Sequence, residues 1–276
     1  MSGKPDMQRF RILEKYGLGP KMHFVLMDAP LIARKAKAGQ FVIVRIREQG
    51  ERIPLTIADF DREKGTVTLV FQEAGKTTCL FAAMKEGEYL LDLLGPQGNP
   101  TEIEDFGRAV VVGGGIGVAP VYPLARALKE KGNTVISIIG YRSREHVFWE
   151  DKMKAVSDRL IITTNDGSYG AKGFVTDMLK DAAASGEKID VVFAIGPPVM
   201  MKAVAEMTRP LNLKTIVSLN SLMVCGMGMC GACRVSVGGK TKFTCMDGPD
   251  FDGHAVDFGL LMKRLETYKG EERSCG

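Results

Sequence analysis

The chain has 276 residues, 45% of them hydrophobic and 25% charged, a globular balance that excludes global disorder and fibrous repeats. Its 37 Lys and Arg against 33 Asp and Glu leave a net charge of +4 with no dense basic stripe, which argues against nucleic acid as a main partner. At roughly 150 residues per domain the length predicts about two domains, and 32 glycines predict a need for tight backbone turns. The polar start, Met1 to Asp6, has no signal-peptide core, so a reducing, cytoplasmic location is expected.

Residues 8 to about 95 read as short strands between turn signals: Phe41–Arg47, Ile53–Ala58, and Val67–Gln72 after a turn at 59–65. Strands at this spacing predict an antiparallel barrel over residues 1–100. Two segments in it carry anion chemistry. In Arg52-Ile53-Pro54-Leu55-Thr56 a cation can meet a pyrophosphate and a hydroxyl can meet a bound ring, and Gly75-Lys76-Thr77-Thr78 can open a helix onto a phosphate. Taken singly, each is more often a solvated charge or an ordinary cap.

Residues 109–125 carry no charge and approach the length of a membrane span. Four glycines and two prolines split them instead into a Val-rich strand, a Gly turn and a helix beginning near Val118, and no membrane partner is expected. From about residue 106 to 217, the strands Ala109–Val112, Thr134–Gly140, Leu160–Thr164, Val191–Ile195 and Thr215–Val217 alternate with helices such as Pro123–Lys131 and Val199–Met207. This pattern predicts a doubly wound parallel sheet over 101–217. Glycines at 113–115 and 117, after the first strand, let a pyrophosphate approach the backbone at a helix start. Gly140 to Arg144 and Ile195-Gly196-Pro197 fall at other strand ends on the same sheet edge.

Residues 218–276 begin with a Cys- and Gly-rich stretch too short to build its own core. Cys225-x4-Cys230-x2-Cys233-x11-Cys245 starts with the spacing of plant-type [2Fe–2S] ferredoxins, in which each iron takes two thiolates. The alternative is structural zinc, but zinc ligands usually pair as two C-x2-C knuckles, and only Cys230 and Cys233 have that spacing here. Cys79 reads as a small buried residue and Cys275 as a tail thiol. Val256, Leu260, Leu261, Leu265 and Tyr268 stand at roughly helical spacing and predict a closing helix packed on its own chain. A cluster takes single electrons while a nicotinamide delivers a hydride, so a flavin between them completes the set.

With these motifs in this order, the chain resembles the ferredoxin–NADP reductase superfamily over nearly its whole length. Within it, the chain is similar to the iron–sulfur flavoprotein subunits typified by the electron-transfer subunit of dihydroorotate dehydrogenase and the small subunit of NADH-dependent reduced ferredoxin:NADP oxidoreductase. The residues that carry this are Arg52-x-Pro54-Leu55-Thr56, Gly113–Pro120, Gly196-Pro197 and Cys225–Cys245 with the following Met246-Asp247-Gly248-Pro249. The resemblance implies an N-terminal FAD-binding β-barrel, an NAD-binding α/β domain and a small [2Fe–2S] domain. It implies that Arg52, Pro54, Leu55, Thr56, Val70, Phe71, Gln72, Thr77 and Thr78 hold FAD, with Thr56 at the reactive flavin edge. Gly114, Gly115, Ile116, Gly117, Gly196 and Pro197 would meet the dinucleotide, and Cys225, Cys230, Cys233 and Cys245 the iron. Leu55 stands where the superfamily often has a Tyr stacked on the flavin, and Ile195 where many members have a Cys.

Pro54-Leu55-Thr56-Ile57 and the run from Ser221 to Met229 lean toward the ferredoxin:NADP oxidoreductase side. That implies a larger iron–sulfur flavoprotein subunit as partner, in a heterodimer that bifurcates electrons. The alternatives are the dihydroorotate dehydrogenase subunit and, in another class, a zinc-stapled nucleotide-binding regulator. Arg142 and Arg144 can meet a 2′-phosphate, but Glu145 would repel one and the resemblance favours NAD(H).

Overall fold

The structure, a computed structural model, describes residues 10–267. The first third comprises β1 (Phe10–Gly19), β2 (Met22–Asp28), α1 (Pro30–Lys35), β3 (Phe41–Arg45), β4 (Ile53–Asp61), β5 (Thr66–Gln72), α2 (Lys76–Ala83), β6 (Tyr89–Leu90) and β7 (Asp92–Gln97). The seven strands pair antiparallel in the order β6-β1-β2-β5-β4-β3-β7. The end strands β6 and β7 are separated by Leu91 alone, so the sheet nearly closes into a barrel. Val25, Val42, Val44, Leu69 and Phe71 fill it, and Phe81 of α2 stacks on Phe71 at 4.5 Å.

The segment 59–65 is not all turn. A bulge between Ile57 and Asp59 keeps β4 paired with β5 as far as Asp61, since an extra residue on one strand bends it without ending the ladder. The turn proper is shorter. Asp61 accepts the N–H groups of Glu63 and Lys64 at 3.0 Å each, and Gly65 supplies a φ of +68°.

The second sheet contains β8 (Arg108–Gly114), β9 (Thr134–Tyr141), β10 (Arg159–Thr164), β11 (Ala171–Lys172), β12 (Val191–Ile195) and β13 (Lys214–Ser218). Between them run α3 (Val118–Glu130), α4 (Glu150–Ala155), α5 (Val175–Ala184) and α6 (Pro198–Thr208). The order is β11-β10-β9-β8-β12-β13, all parallel. Helices cover both faces, which is why β8 and β12 are unbroken apolar runs with no alternation. The order of strand addition reverses between β8 and β12, and that switch point is where such sheets bind ligands. The charge-free stretch from residue 109 is therefore strand, turn and helix. Among the described residues no helix is long and apolar enough to cross a membrane.

The last part forms the hairpin β14 (Arg234–Val237) and β15 (Lys240–Phe243), α7 (Thr244–Asp247), β16 (Asp250–Asp252) and α8 (Phe258–Leu265). β16 adds antiparallel to β13 as the outer strand of the second sheet. The closing helix has a different phase from the one predicted. Val256 lies before it and bridges to Val237, and Leu260 is exposed, whereas Phe258 and Leu261 are buried. Asp257 caps the helix by accepting the Leu260 N–H at 2.9 Å. Tyr268 and Cys275 lie outside the described residues, and Cys79, expected to be buried, is half-buried on α2.

Candidate redox and nucleotide site

The loop that carries Cys225, Cys230 and Cys233 is wound by glycines in the left-handed region, at φ +70° for Gly226, +81° for Gly228 and +67° for Gly231. A methyl group on Gly226 would lie 2.5 Å from Ile43 Cγ1, and one on Gly228 2.7 Å from Met246 Cγ. The turns therefore let the loop lie tightly on its neighbours and aim backbone N–H groups at sulfur. Gly228 N–H donates to Cys245 Sγ at 3.2 Å, Cys230 N–H to Cys225 Sγ at 3.4 Å, and Ala232 N–H to Cys230 Sγ at 3.4 Å.

The thiols group in twos: Cys230 hydrogen-bonds Cys225, and Cys233 Sγ lies 3.2 Å from Cys245 Sγ. Among the described residues no three metal-binding side chains close on a single-ion position. Four thiols in two pairs, with amides directed at the sulfurs, fit the donor set of a two-iron cluster. Burial opposes ionisation of Cys225, but the amides of Met227, Cys230 and Met229 outweigh it and bring its thiol down to about 7. Cys245 is pushed up to about 12 by burial and by the adjoining Cys233 thiol.

Two buried hydroxyls brace this arrangement, and neither has a role that the sequence alone assigns: Ser221 figures there only as the start of the run to Met229. Ser221 Oγ donates to Thr244 Oγ1 at 3.0 Å, and Thr244 Oγ1 donates to the Cys233 carbonyl at 3.0 Å. They tie the Cys233 strand to the helix that bears Cys245. A Ser or Thr next to a ligand is too common a pattern to flag such a role.

Cys233 and Cys245 are buried against Phe41 and Ile43 of the barrel. On the neighbouring strand Phe41 pairs with Thr56, Val42 with Leu55 and Ile43 with Pro54. The cysteine pair thus sits one strand from the Pro54–Thr56 segment, whose three residues are all half-buried. Arg52, 44% exposed, makes a 4.0 Å contact with Asp92 as its one ion pair among the described residues, so its guanidinium is loosely held there. Val70 is buried in the cluster of apolar residues shared with the second domain. Phe71 turns its ring into the barrel and can offer a ligand only its backbone, while Gln72 is exposed. Thr77 Oγ1 donates to Glu51 at 2.7 Å. Thr78 Oγ1 accepts from the Ala74 and Gly75 N–H groups at 2.9 and 3.0 Å. Both hydroxyls are therefore engaged within the protein at the start of α2, which leaves the first-turn amides as the groups there that could face an anion.

On the second sheet the turn Gly115–Gly117, which includes Ile116, joins β8 to α3 and lies against β5. Side chains on Gly114 and Gly117 would run into Met200 and the Ile195 carbonyl respectively. The turn is packed flat on Gly196-Pro197, at the end of β12. Gly115 differs: its φ is +55° and a side chain there would point into open space. Arg142 is exposed just past β9, and Arg144 lies over the Tyr169 ring at 5.6 Å. Asp166, absent from the sequence reading, donates its N–H to the Arg142 carbonyl at 3.4 Å. Its carboxylate, pulled below the usual range by the Ser168 hydroxyl and N–H, adds a second acid to the loops that follow β9 and β10.

A family model for the iron–sulfur cluster binding domain of dihydroorotate dehydrogenase B matches residues 220–257, and one for the oxidoreductase NAD-binding domain matches residues 111–206. The chain is 44% identical over 262 residues to a dihydroorotate dehydrogenase B (NAD(+)) electron transfer subunit homolog of Thermotoga maritima, covering 95% of this chain and 92% of the relative. It is 35% identical over 253 residues to the dihydroorotate dehydrogenase B (NAD(+)) electron transfer subunit of Bacillus caldolyticus, covering 88% and 96%. A chain of a solved NADH-dependent reduced ferredoxin–NADP oxidoreductase, studied for flavin-based electron bifurcation, superposes with a TM-score of 0.92 at 42% identity, covering 98% and 97%. A ferredoxin NADP+ reductase from Neisseria gonorrhoeae with bound FAD and NADP, 18% identical, shares the fold with a TM-score of 0.63, covering 74% and 91%.

Proposed function

We propose, because this chain belongs to the family of dihydroorotate dehydrogenase B electron-transfer subunits within the ferredoxin–NADP reductase superfamily, that it moves electrons between NAD(H) and a larger partner subunit. The observation that carries the reading is the placement of Cys233 and Cys245 on Phe41 and Ile43, the strand neighbours of Thr56 and Pro54. When bound, the nicotinamide gives or takes a hydride, FAD divides the electron pair, and the [2Fe–2S] cluster carries electrons singly. The rest falls to the chain. Arg52 and the first turn of α2 balance pyrophosphate charge, Thr56 offers a hydroxyl to the reactive edge of the flavin, and Pro54 and Leu55 shape its bed. The backbone at Val70, Phe71 and Gln72 borders the same groove. Gly115 admits the dinucleotide phosphates beside Gly196 and Pro197. The four cysteines hold iron, and the Gly228, Cys230 and Ala232 amides offset thiolate charge.

The partner we propose is a larger iron–sulfur flavoprotein, in an electron-bifurcating complex of the NADH-dependent reduced ferredoxin:NADP oxidoreductase kind. The motifs Pro54 to Ile57 and Ser221 to Met229 support this. So does an exposed apolar lip around the cysteine loop, where Met229 is 81% exposed, with Val224, Met227 and Met246 beside it. Glu145 and Asp166 near Arg142 support NAD(H) over NADP(H). A cytoplasmic location accords with the reduced thiols that such a cluster needs.

Isolation of the native complex tests the reading. The expected result is a larger flavoprotein with its own iron–sulfur clusters, and flavin and ferredoxin-like bands in the spectrum of this chain. A co-purifying dihydroorotate-oxidising subunit would shift the assignment to the dihydroorotate dehydrogenase reading, which the family match also supports. Zinc without flavin bands would overturn both.

A further inference from the structure

We propose that Asp59 is a positioning residue for hydride transfer, clamping the strand that carries the flavin segment to the helices of the nucleotide domain. The inference rests on the reading above, in which NAD(H) and FAD exchange a hydride across these two domains. β4 carries Pro54 to Thr56 near its start, and its bulge between Ile57 and Asp59 re-aims the next side chain, as bulges do. Asp59 Oδ1 accepts from Arg126 Nη1 at 2.7 Å and Oδ2 from Lys152 Nζ at 3.4 Å. Arg126 belongs to α3, the helix that starts at the glycine turn, and Lys152 to α4. The Asp59 carboxylate is 18% exposed and Arg126 27%, so salt screens the pair less than a surface ion pair.

Aromatic faces fix the cations as well. Arg126 lies over Phe60 and Tyr122 at 5.2 and 5.3 Å, and Lys152 over Trp149 at 4.4 Å and Tyr122 at 5.0 Å. Trp149 holds a left-handed backbone at φ +58°, a conformation that a bulky residue keeps only where its surroundings over-determine it. None of these side chains belongs to the cofactor-binding segments, so ligand binding does not account for their convergence on one carboxylate at the domain junction. Donor and acceptor of a hydride must meet in a near-attack geometry, and a misplacement of about 1 Å can lower the rate on the order of 10²-fold. Removing the anion leaves Arg126 and Lys152 sharing the Tyr122 ring of α3 but takes away the carboxylate that ties both of them to β4.

The test is rapid-mixing reduction of the flavin by NADH in the full chain carrying FAD and cluster, comparing wild type with Asp59→Asn, Asp59→Glu and Arg126→Met. The limiting rate should fall about tenfold or more in Asp59→Asn and Arg126→Met, while the half-saturating NADH concentration moves less than about threefold. Cofactor content and reduction by dithionite should match wild type, and Asp59→Glu should recover most of the rate. The double variant should be no slower than Asp59→Asn alone, because the two groups act as one unit. If Asp59→Asn does not fold, Arg126→Met carries the same test. Wild-type limiting rates in the variants, or losses that track FAD content or NADH affinity, would overturn the clamp. Wild-type flavin that NADH cannot reduce would instead overturn the hydride reading, and the clamp with it.

Discussion

Gly115 and Gly117 stand two residues apart and have different reasons to be glycine. Gly115→Val forces a branched side chain into the left-handed region, which costs roughly 1–2 kcal/mol for an L residue, and places it in the space beside the turn. NADH oxidation should fall sharply while FAD and cluster content stay near wild type, as read by steady-state rates and the visible spectrum. Gly117→Ala drives a methyl group into the Ile195 carbonyl and should lower stability by roughly 1–3 kcal/mol, seen in thermal unfolding. Cys233→Ser removes a buried thiol from the pair with Cys245. The cluster bands should be lost and delivery to the partner should stop, while NADH still bleaches the flavin. The glycine turn is legible from sequence because a Val-rich run followed by four near-consecutive glycines has few local solutions. Asp59 is not, because the stretch Asp59-Phe60-Asp61-Arg62-Glu63-Lys64-Gly65 reads as turn, and only pairing with β5 shows that it begins in a bulged strand.

At the scale of elements, β16 joins parts of the chain far apart in sequence. Its Asp250 carboxyl accepts from Thr101 Oγ1 at 2.5 Å, beside the Ser218 hydroxyl. Burial pushes that carboxyl above the usual range. The native state therefore binds the proton more tightly than the unfolded chain, and stability falls as pH rises from about 4, the unfolded value, toward the native one. Within that window wild type should lose up to about 1.4 kcal/mol per pH unit from this group. Asp250→Asn keeps a polar partner for Thr101 and removes the titration, so it should melt above wild type at pH 8 and lose that advantage toward pH 4. The helices α3 and α6 and the strands β8, β9, β10, β12 and β13 were legible from periodicity to within a few residues, whereas the short β11 and β16 of the same sheet were not. The phase of α8 was not, because Asp257 caps it from a position that the apolar spacing alone cannot mark. The hairpin β14–β15 was hidden as well, its Gly238-Gly239 turn lying in a stretch read chiefly for its cysteines.

For the whole molecule, the order of barrel, nucleotide sheet and cysteine loop was legible from three independent patterns: short strands, strand–helix alternation and thiol spacing. What sequence cannot supply is how they face one another, since that depends on contacts such as Ile43 with the cysteine loop, between residues remote along the chain. The acids at the end of β9 and β10 make a whole-chain prediction about nucleotide choice. NADH should exceed NADPH in kcat/KM by about tenfold or more, a difference of about 1.4 kcal/mol. A reversed preference in steady-state assays would make Arg142 a 2′-phosphate ligand.

The strand that β16 lends to the second sheet bears on how such a protein can be taken apart. Val217 and Leu219 share one apolar cluster with Val235, Phe251, Phe258 and Leu261, so nucleotide domain and cysteine segment have a common core. A chain cut after residue 217 would bare β13 as an open sheet edge with an uncovered greasy flank, the combination that templates aggregation. The iron-binding portion is thus less an accessory added to a reductase than the outer wall of its nucleotide sheet. Transplanting it to another reductase would require carrying β13 and α6 along with it.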